Sequence, residues 1–297
     1  MAMKKWIQAM RLRTLPLAAS CILTGAAAAK SDGHSNAQVL ALTLVTTFLL
    51  QILSNLANDY GDFSHGVDNE LRVGPARAMQ SGLISQVQMK RALIVTTLLT
   101  LLSGTSLLWI VFSPQSQFLT ALLMLILGIA AIASAIKYTV GKSPYGYRGL
   151  GDLFVFVFFG PVGVVGTYFL LSNQISLDVL LLASTIGLYS TAVLNLNNLR
   201  DHENDRSMGK NTLVVMMGFR NGKMYQTFLI GTGTILLLLW VILFSNDYYS
   251  ALALLPAFMQ CALLTKVWRT QAPATLDSEL KKVALLTFAV SFILFLV

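Results

Sequence analysis

The chain has 297 residues, 55% of them hydrophobic and only 11% charged, where an average soluble domain is about 25% charged. That composition excludes a water-soluble globular fold. The formal net charge of +8 points to no nucleic acid, because the basic residues sort by membrane side.

Residues 1–14 carry Lys4, Lys5, Arg11 and Arg13 ahead of an apolar run at 15–29 that ends in four alanines. This order has the form of a secretory signal, yet Pro16 and the many apolar runs that follow predict a retained first helix. Those runs lie at 39–53, 92–112, 118–136, 153–171, 179–194, 228–244, 252–264 and 283–297. Each approaches or reaches the roughly 20 residues that a crossing helix needs. The expected fold is therefore all-α, a polytopic membrane bundle of nine transmembrane helices forming one domain over 1–297. Cys21 and Cys261 fall in or beside these runs, where cysteine acts as a small hydrophobe.

Threading nine spans from a cytoplasmic N-terminus places inner loops at 1–14, 58–91, 137–151, 197–226 and 266–282. The outer loops fall near 31–37, 113–117, 172–178 and 245–250. Twenty of the 21 Lys and Arg residues then lie inside, Lys30 being the exception, which is the positive-inside bias. Topology accounts for the basic charge, with membrane lipid headgroups as a secondary partner. Lys90, Arg91, Arg269, Lys281 and Lys282 read as anchors at the membrane edge.

The outer loops are short, whereas 58–91 and 197–226 are long for helix connections and not of low complexity, which favours function. Six carboxylates fall in two clusters on this inner side. The first runs Asn55, Asn58, Asp59, Asp62, then Asp68; the second runs Asn195, Asn197, Asn198, Arg200, Asp201, Glu203 and Asp205. They close spans 2 and 6, four spans apart. This suggests duplicated four-helix halves at about 15–136 and 153–268, with 283–297 as a final helix.

On a helix, Asn55, Asn58, Asp59 and Asp62 share one stripe, and so do Asn198, Asp201 and Asp205. Like carboxylates beside a helix C-terminus repel one another and the local dipole, so a positive partner belongs between them. Hard oxygen donors suit Mg²⁺, which is commonly held by one or two carboxylates together with substrate phosphate. Basic residues for a diphosphate are at hand: Arg72 and Arg77 after the first cluster, Lys142 and Arg148 in loop 137–151, and Arg200, Arg206 and Lys210 around the second. Tyr138 and Lys142 bound a segment that leads into a glycine-rich loop at 141–151. Glu70, Glu203, Asp277 and Glu279 read as solvated surface. His34, His65 and His202 lack metal spacing. Asp152, at the start of span 5, reads as a helix N-cap or a substrate-facing acid.

The segment Asn58-Asp59-Tyr60-Gly61-Asp62 with Asp68, paired with Asn198-Leu-Arg200-Asp201-His-Glu203-Asn-Asp205-Arg206, resembles the two Asp-rich motifs of the UbiA superfamily of intramembrane aromatic prenyltransferases. Tyr138-x-x-x-Lys142 looks like its YxxxK element. The stretches 11–17, 74–82 and 146–152 resemble the naphthoate branch of that superfamily. The resemblance implies transfer of a polyprenyl group from polyprenyl diphosphate to 1,4-dihydroxy-2-naphthoate. Carboxyl loss and diphosphate release lead to demethylmenaquinone, at a bacterial cytoplasmic (inner) membrane. It further implies that Asn58, Asp62, Asp201 and Asp205 hold Mg²⁺ with Asp59 and Asp68 in support. Asp62, Asp201 and Lys142 carry catalysis in this scheme. Arg72, Arg77, Tyr138, Lys142, Arg148, Asn198, Arg200, Arg206 and Lys210 bind the substrate. One departure is that the last Asp of an NDxxDxxxD pattern would fall at Gly66, so Asp68 serves only if the loop is two residues longer.

Phe154, Phe156, Phe158 and Phe159 are candidates to shelter an allylic cation within the bundle. Two alternatives stay open from the residues. A related prenyltransferase would use another aromatic acceptor, and a cation-coupled transporter would also carry intramembrane acids and repeated halves. Against transport, the acids lie at one face rather than near mid-membrane.

Overall fold

Helix starts are fixed by capping side chains at several points. In the computed structural model, which describes residues 2–68, 73–112, 117–245 and 247–297, the Asn36 side chain accepts from the backbone N–H groups of Gln38 and Val39 at 3.1 Å each. Ser85 and Gln88 form a reciprocal capping box, satisfying two donors that a helix start otherwise leaves unpaired. Twelve α-helices result among the described residues: α1 (Ala2–Met10), α2 (Leu15–Ser31), α3 (Ala37–Ser64), α4 (Gln86–Val111), α5 (Phe118–Lys137), α6 (Gly151–Val157), α7 (Gly166–Ser172), α8 (Leu177–Ser207), α9 (Leu213–Met217), α10 (Phe219–Leu243), α11 (Leu254–Arg269) and α12 (Leu276–Leu296).

A π-helical stretch at Phe158–Val165 joins α6 to α7 and contains Pro161. Proline lacks the N–H that an α-helix requires and its ring crowds the preceding turn, which accounts for the widened turns there. Counting α6 through α7 as one span, eight helices are long and apolar enough to cross a membrane. The ninth expected span is α12, whose 21 residues rise about 31 Å. Asp277, Glu279, Lys281 and Lys282 crowd its first turns and set it apart from the other eight in composition.

At the centre stands α8, which packs against α10, α12, α6, the π stretch and α2. Close approach of the π stretch depends on Gly160, where a Cβ would lie 2.6 Å from the Ala183 carbonyl oxygen, and on Gly187 opposite. Phe156 packs against Gly187 and so faces α8. Polar side chains that would otherwise be orphaned in hydrocarbon pair between helices: Thr24 of α2 donates to Ser291 of α12 at 2.9 Å, and Tyr189 of α8 meets Thr234 of α10 at 2.9 Å.

On the other side α3 packs against α4 and α5. Of the residues of α5 only Ile132 is buried, and part of its apolar surface faces outward. Between these two halves lies a cavity of about 1150 Å³, walled by α2, α3, α4, α5, the α6–α7 segment, α8 and α12.

Candidate active site

Both acid clusters sit where the sequence put them, on the last turns of α3 and α8, and the fold brings these helix ends together. The side chains of Asp59, Asp62, Asp68, Asn198, Asp201 and Asp205 are all buried. Burial of ionised carboxylates is costly unless each is paired or hydrogen-bonded, and the pairing follows a clear pattern.

Asp62 is the best served. Its Oδ2 takes an ion pair from Arg77 Nη1 at 2.5 Å, and its Oδ1 accepts from the Tyr147 hydroxyl at 2.6 Å. The same Arg77 Nη1 reaches Asp68 Oδ2 at 3.0 Å and donates to the Asn58 carbonyl oxygen at 2.8 Å. Burial alone would lower the pKa of Arg77, but the carboxylates of Asp62, Asp68 and Asp59 hold it above the ordinary arginine range. Asp68 therefore joins the first cluster despite the longer loop, through Arg77.

Lys210 joins the two clusters. Its Nζ lies 3.8 Å from Asp62 Oδ2 and 3.7 Å from Asp205 Oδ1, and 5.4 Å from the centre of the Tyr147 ring. Its backbone N–H donates to the Asp205 carbonyl at 2.8 Å, which turns the chain back after α8 and aims the side chain inward. A second tie runs from Asn204 Nδ2 to the Val67 carbonyl oxygen at 3.0 Å.

Loop 138–150 closes over the first cluster. Gly61 is needed for this approach, since a Cβ there would fall 2.5 Å from Thr139 Oγ1 and 2.6 Å from its backbone carbon. Thr139 Oγ1 donates to the Ala57 carbonyl at 3.0 Å and to Asn58 Oδ1 at 3.3 Å. His65 Nε2 lies 3.1 Å from the Gly141 oxygen. Tyr138, half-buried against Gly146 and Gly151, has its hydroxyl pKa raised, first by burial and then by the nearby charges of Asp152 and Asp62.

Several expectations need correction. Lys142, Arg148 and Arg206 are exposed and form no ion pair among the described residues; they point to solvent because the buried acids are already matched by Arg77 and Lys210. Arg72 lies outside the described residues. Arg200 does not extend freely towards a substrate. Its Nε and Nη2 grip Asp201 at 3.0 and 2.6 Å, Nη2 also meets Asn197 Oδ1 at 2.6 Å, and Nη1 meets Asp277 at 2.7 Å. Asp277 is thus no solvated surface acid, and Glu279 is buried against Lys282 at 2.7 Å.

Asn55 is diverted from its stripe to donate to the Met10 carbonyl and Thr14 Oγ1, each at 2.9 Å, because α1 folds back on this part of α3. Asp152 is not an N-cap: Leu150 holds that position, and Asp152 Oδ1 is buried without a hydrogen-bond partner among the described residues. Tyr147 and Thr139 were not singled out by sequence reasoning, although both lie in segments that carried the family resemblance, 146–152 and Tyr138-x-x-x-Lys142.

The two clusters meet the apolar cavity at their edges, while Asp62, Asp201 and Asp205 lie behind its lining. Asn58, Asp59, Arg77, Asn197 and Arg200 line its polar end, and Phe154, Phe158, Phe159, Tyr138 and Tyr145 line its wall. Phe154 stacks on Tyr145 with ring centres 4.0 Å apart. Asp59 Oδ1 is buried without a hydrogen-bond partner among the described residues. Among the described residues, no group of three His, Cys, Asp or Glu side chains converges there to hold an ion unaided.

Compared with known proteins, residues 18–294 match the model of the UbiA prenyltransferase family. The chain belongs to the UbiA prenyltransferase family. It is 43% identical over 277 residues to the 1,4-dihydroxy-2-naphthoate octaprenyltransferase of Escherichia coli, covering 93% of this chain and 89% of that protein. It is 40% identical over 294 residues to the enzyme of the same name from Haemophilus influenzae, covering 98% and 94%. Among solved structures, a UbiA homolog from Archaeoglobus fulgidus bound to DMAPP and Mg²⁺ aligns with a TM-score of 0.63 at 15% identity, covering 99% of both chains. A UbiA homolog from Aeropyrum pernix aligns at 0.67 and 16% identity, covering 95% and 94%. These two establish a UbiA fold. This UbiA chain is accordingly an integral membrane prenyltransferase, and a transport function is not favoured.

Proposed function

We propose that the protein transfers a polyprenyl group from polyprenyl diphosphate to 1,4-dihydroxy-2-naphthoate. The observation that carries the reaction class is the pair of buried acid clusters, bridged by Lys210, at the polar end of a large apolar cavity. The acceptor follows from the near full-length similarity to the two octaprenyltransferases.

The donor set fits Mg²⁺. It consists of hard oxygens, Asp59 Oδ1 is an acceptor at the cavity without a hydrogen-bond partner among the described residues, and Mg²⁺ commonly takes one or two carboxylates together with substrate phosphate. Asn58, Asp62, Asp201 and Asp205 would hold it, with Asp59 and Asp68 in support. When bound, it would polarise and neutralise the leaving diphosphate.

The remaining work falls to the chain's own groups. Arg77 and Lys210 supply fixed positive charge where negative charge grows on diphosphate as the allylic C–O bond breaks, a preorganised form of transition-state stabilisation. The Tyr147 hydroxyl orients Asp62. The allylic carbon forms its new bond to the naphthoate ring, the carboxyl group leaves as CO₂ and diphosphate departs. The product is a prenylated naphthalenediol, which on two-electron oxidation becomes demethylmenaquinone. Phe154, Phe158 and Phe159 keep water from the cationic carbon and offer it electron-rich ring faces, the negative side of the aromatic quadrupole.

Lys142, Arg148 and Arg206, exposed on the loops next to the acid clusters, would act in capture of the anionic donor from solution or headgroup layer. The location most consistent with these parts is a bacterial cytoplasmic membrane with both acid clusters on the cytoplasmic side. The decisive assay incubates purified protein with Mg²⁺, geranyl diphosphate or a longer donor, and 1,4-dihydroxy-2-naphthoate, 4-hydroxybenzoate or homogentisate. Product from the naphthoate alone is expected. Product from another acceptor alone would reassign the substrate, and none from any would reject the enzyme reading.

A further inference from the structure

Arg200 and Asp277 form an ion pair of the buried acid site that none of the reaction steps above employs. Asp277 opens α12, the last helix of the chain, 77 positions from Arg200. Its Oδ1 takes Arg200 Nη1 at 2.7 Å and its Oδ2 takes Lys281 Nζ at 2.6 Å. The other edge of the Arg200 guanidinium presents two nitrogens to the two oxygens of Asp201, while Asn197 Oδ1 receives Nη2 from the preceding turn of α8. Arg200 is only 4% exposed. Its planar fork therefore has acceptors on both edges and no freedom to swing.

We infer that Asp277 is a positioning residue for the second acid cluster: through Arg200 it fixes the orientation of the Asp201 carboxylate, and so sets the affinity of the site for a divalent cation. The inference rests on the metal-diphosphate reading above. A carboxylate has about four lone-pair directions; a bidentate guanidinium takes two of them and fixes the plane of the group. Groups that hydrogen-bond to a metal-binding side chain without touching the metal typically change metal affinity by about 10–100-fold when removed. Arg200 alone could not serve, because without Asp277 one edge of a buried guanidinium would lose its charged partner and the side chain could rotate towards the cavity that it lines. Asp277 also links the site to α12, which packs on α2 and α8, so the last helix contributes to cation binding without supplying a ligand.

The test compares wild type, Asp277→Asn, Asp277→Glu and Arg200→Lys in the full-length purified protein, with geranyl diphosphate and the naphthoate at saturation. Asp277→Asn is expected to raise the Mg²⁺ concentration for half-maximal rate about tenfold while the KM for geranyl diphosphate, measured at saturating Mg²⁺, changes less than about threefold. Asp277→Glu should recover most of the loss. A role confined to folding would lower the yield of active protein and leave the Mg²⁺ dependence as in wild type. Unchanged Mg²⁺ dependence in Asp277→Asn, or a raised donor KM in its place, overturns the inference. Should Asp277→Asn fail to fold, Arg200→Lys decides by the same two readouts, with Mn²⁺ binding followed by electron paramagnetic resonance in the absence of turnover. An inactive wild type would count against the enzyme reading instead, while the Mn²⁺ titration would still test the link.

Discussion

Tyr147 donates its hydroxyl proton to Asp62 Oδ1 across 2.6 Å, although the two residues stand 85 positions apart. Replacement by phenylalanine keeps the ring that lies near Lys210 and His65 and removes only this bond. A hydrogen bond to a charged group contributes about 1.5–3 kcal/mol, and about 1.4 kcal/mol is a factor of ten. Tyr147→Phe should therefore lower kcat/KM about tenfold or more with no loss of folded protein, measured by prenyl transfer to the naphthoate. A wild-type rate would remove Tyr147 from the site.

Lys210 and Lys142 make opposite demands on the site. Lys210 is buried between Asp62 and Asp205, whereas Lys142 is exposed, where solvent and salt screen its charge. Lys210→Ala should cut kcat/KM for the donor about tenfold or more, and Lys142→Ala less than about threefold at physiological ionic strength. Steady-state kinetics on the two variants decides the order; the reverse order would show that the loop carrying Lys142 closes on the diphosphate during turnover.

Gly61 tests the seam between α3 and the loop after α5. Even one methyl group there would collide with Thr139 side-chain and backbone atoms, and overpacking of this kind typically costs about 1–3 kcal/mol. Gly61→Ala should lower the thermal unfolding midpoint in detergent and reduce activity, because Asn58 and Asp62 would move with the helix end. Gly231→Ala, on α10 where a Cβ would meet nothing within 4 Å, should leave the midpoint unchanged or slightly raised.

Much of this was legible in the chain itself. Hydropathy marked the spans, and the spacing of Asn58, Asp59 and Asp62 against Asn198, Asp201 and Asp205 marked the candidate site, because helical periodicity turns sequence offsets directly into a shared face. Charge type was legible but charge direction was not. Nothing local distinguishes Lys210, which turns inward, from Arg206 and Lys142, which do not; the difference arises from how the chain reverses after α8. Asp277 looked like a solvated acid because its partner is on another helix. The partner of Tyr147 was unreadable for the same reason. Asp152 took an unexpected register because the helix starts one residue before it, at Gly151.

The Arg77 guanidinium, held above the ordinary arginine range by the acids around it, has a consequence for enzymology. Tyr147 is likewise shifted upward, first by burial and then by the charge of Asp62. Neither group changes protonation across the pH range in which a bilayer protein is assayed. Two of the contacts to Asp62 thus keep constant charge, and any limb of an activity–pH curve in that range reports on other groups, the dissociating hydroxyls of the acceptor among them.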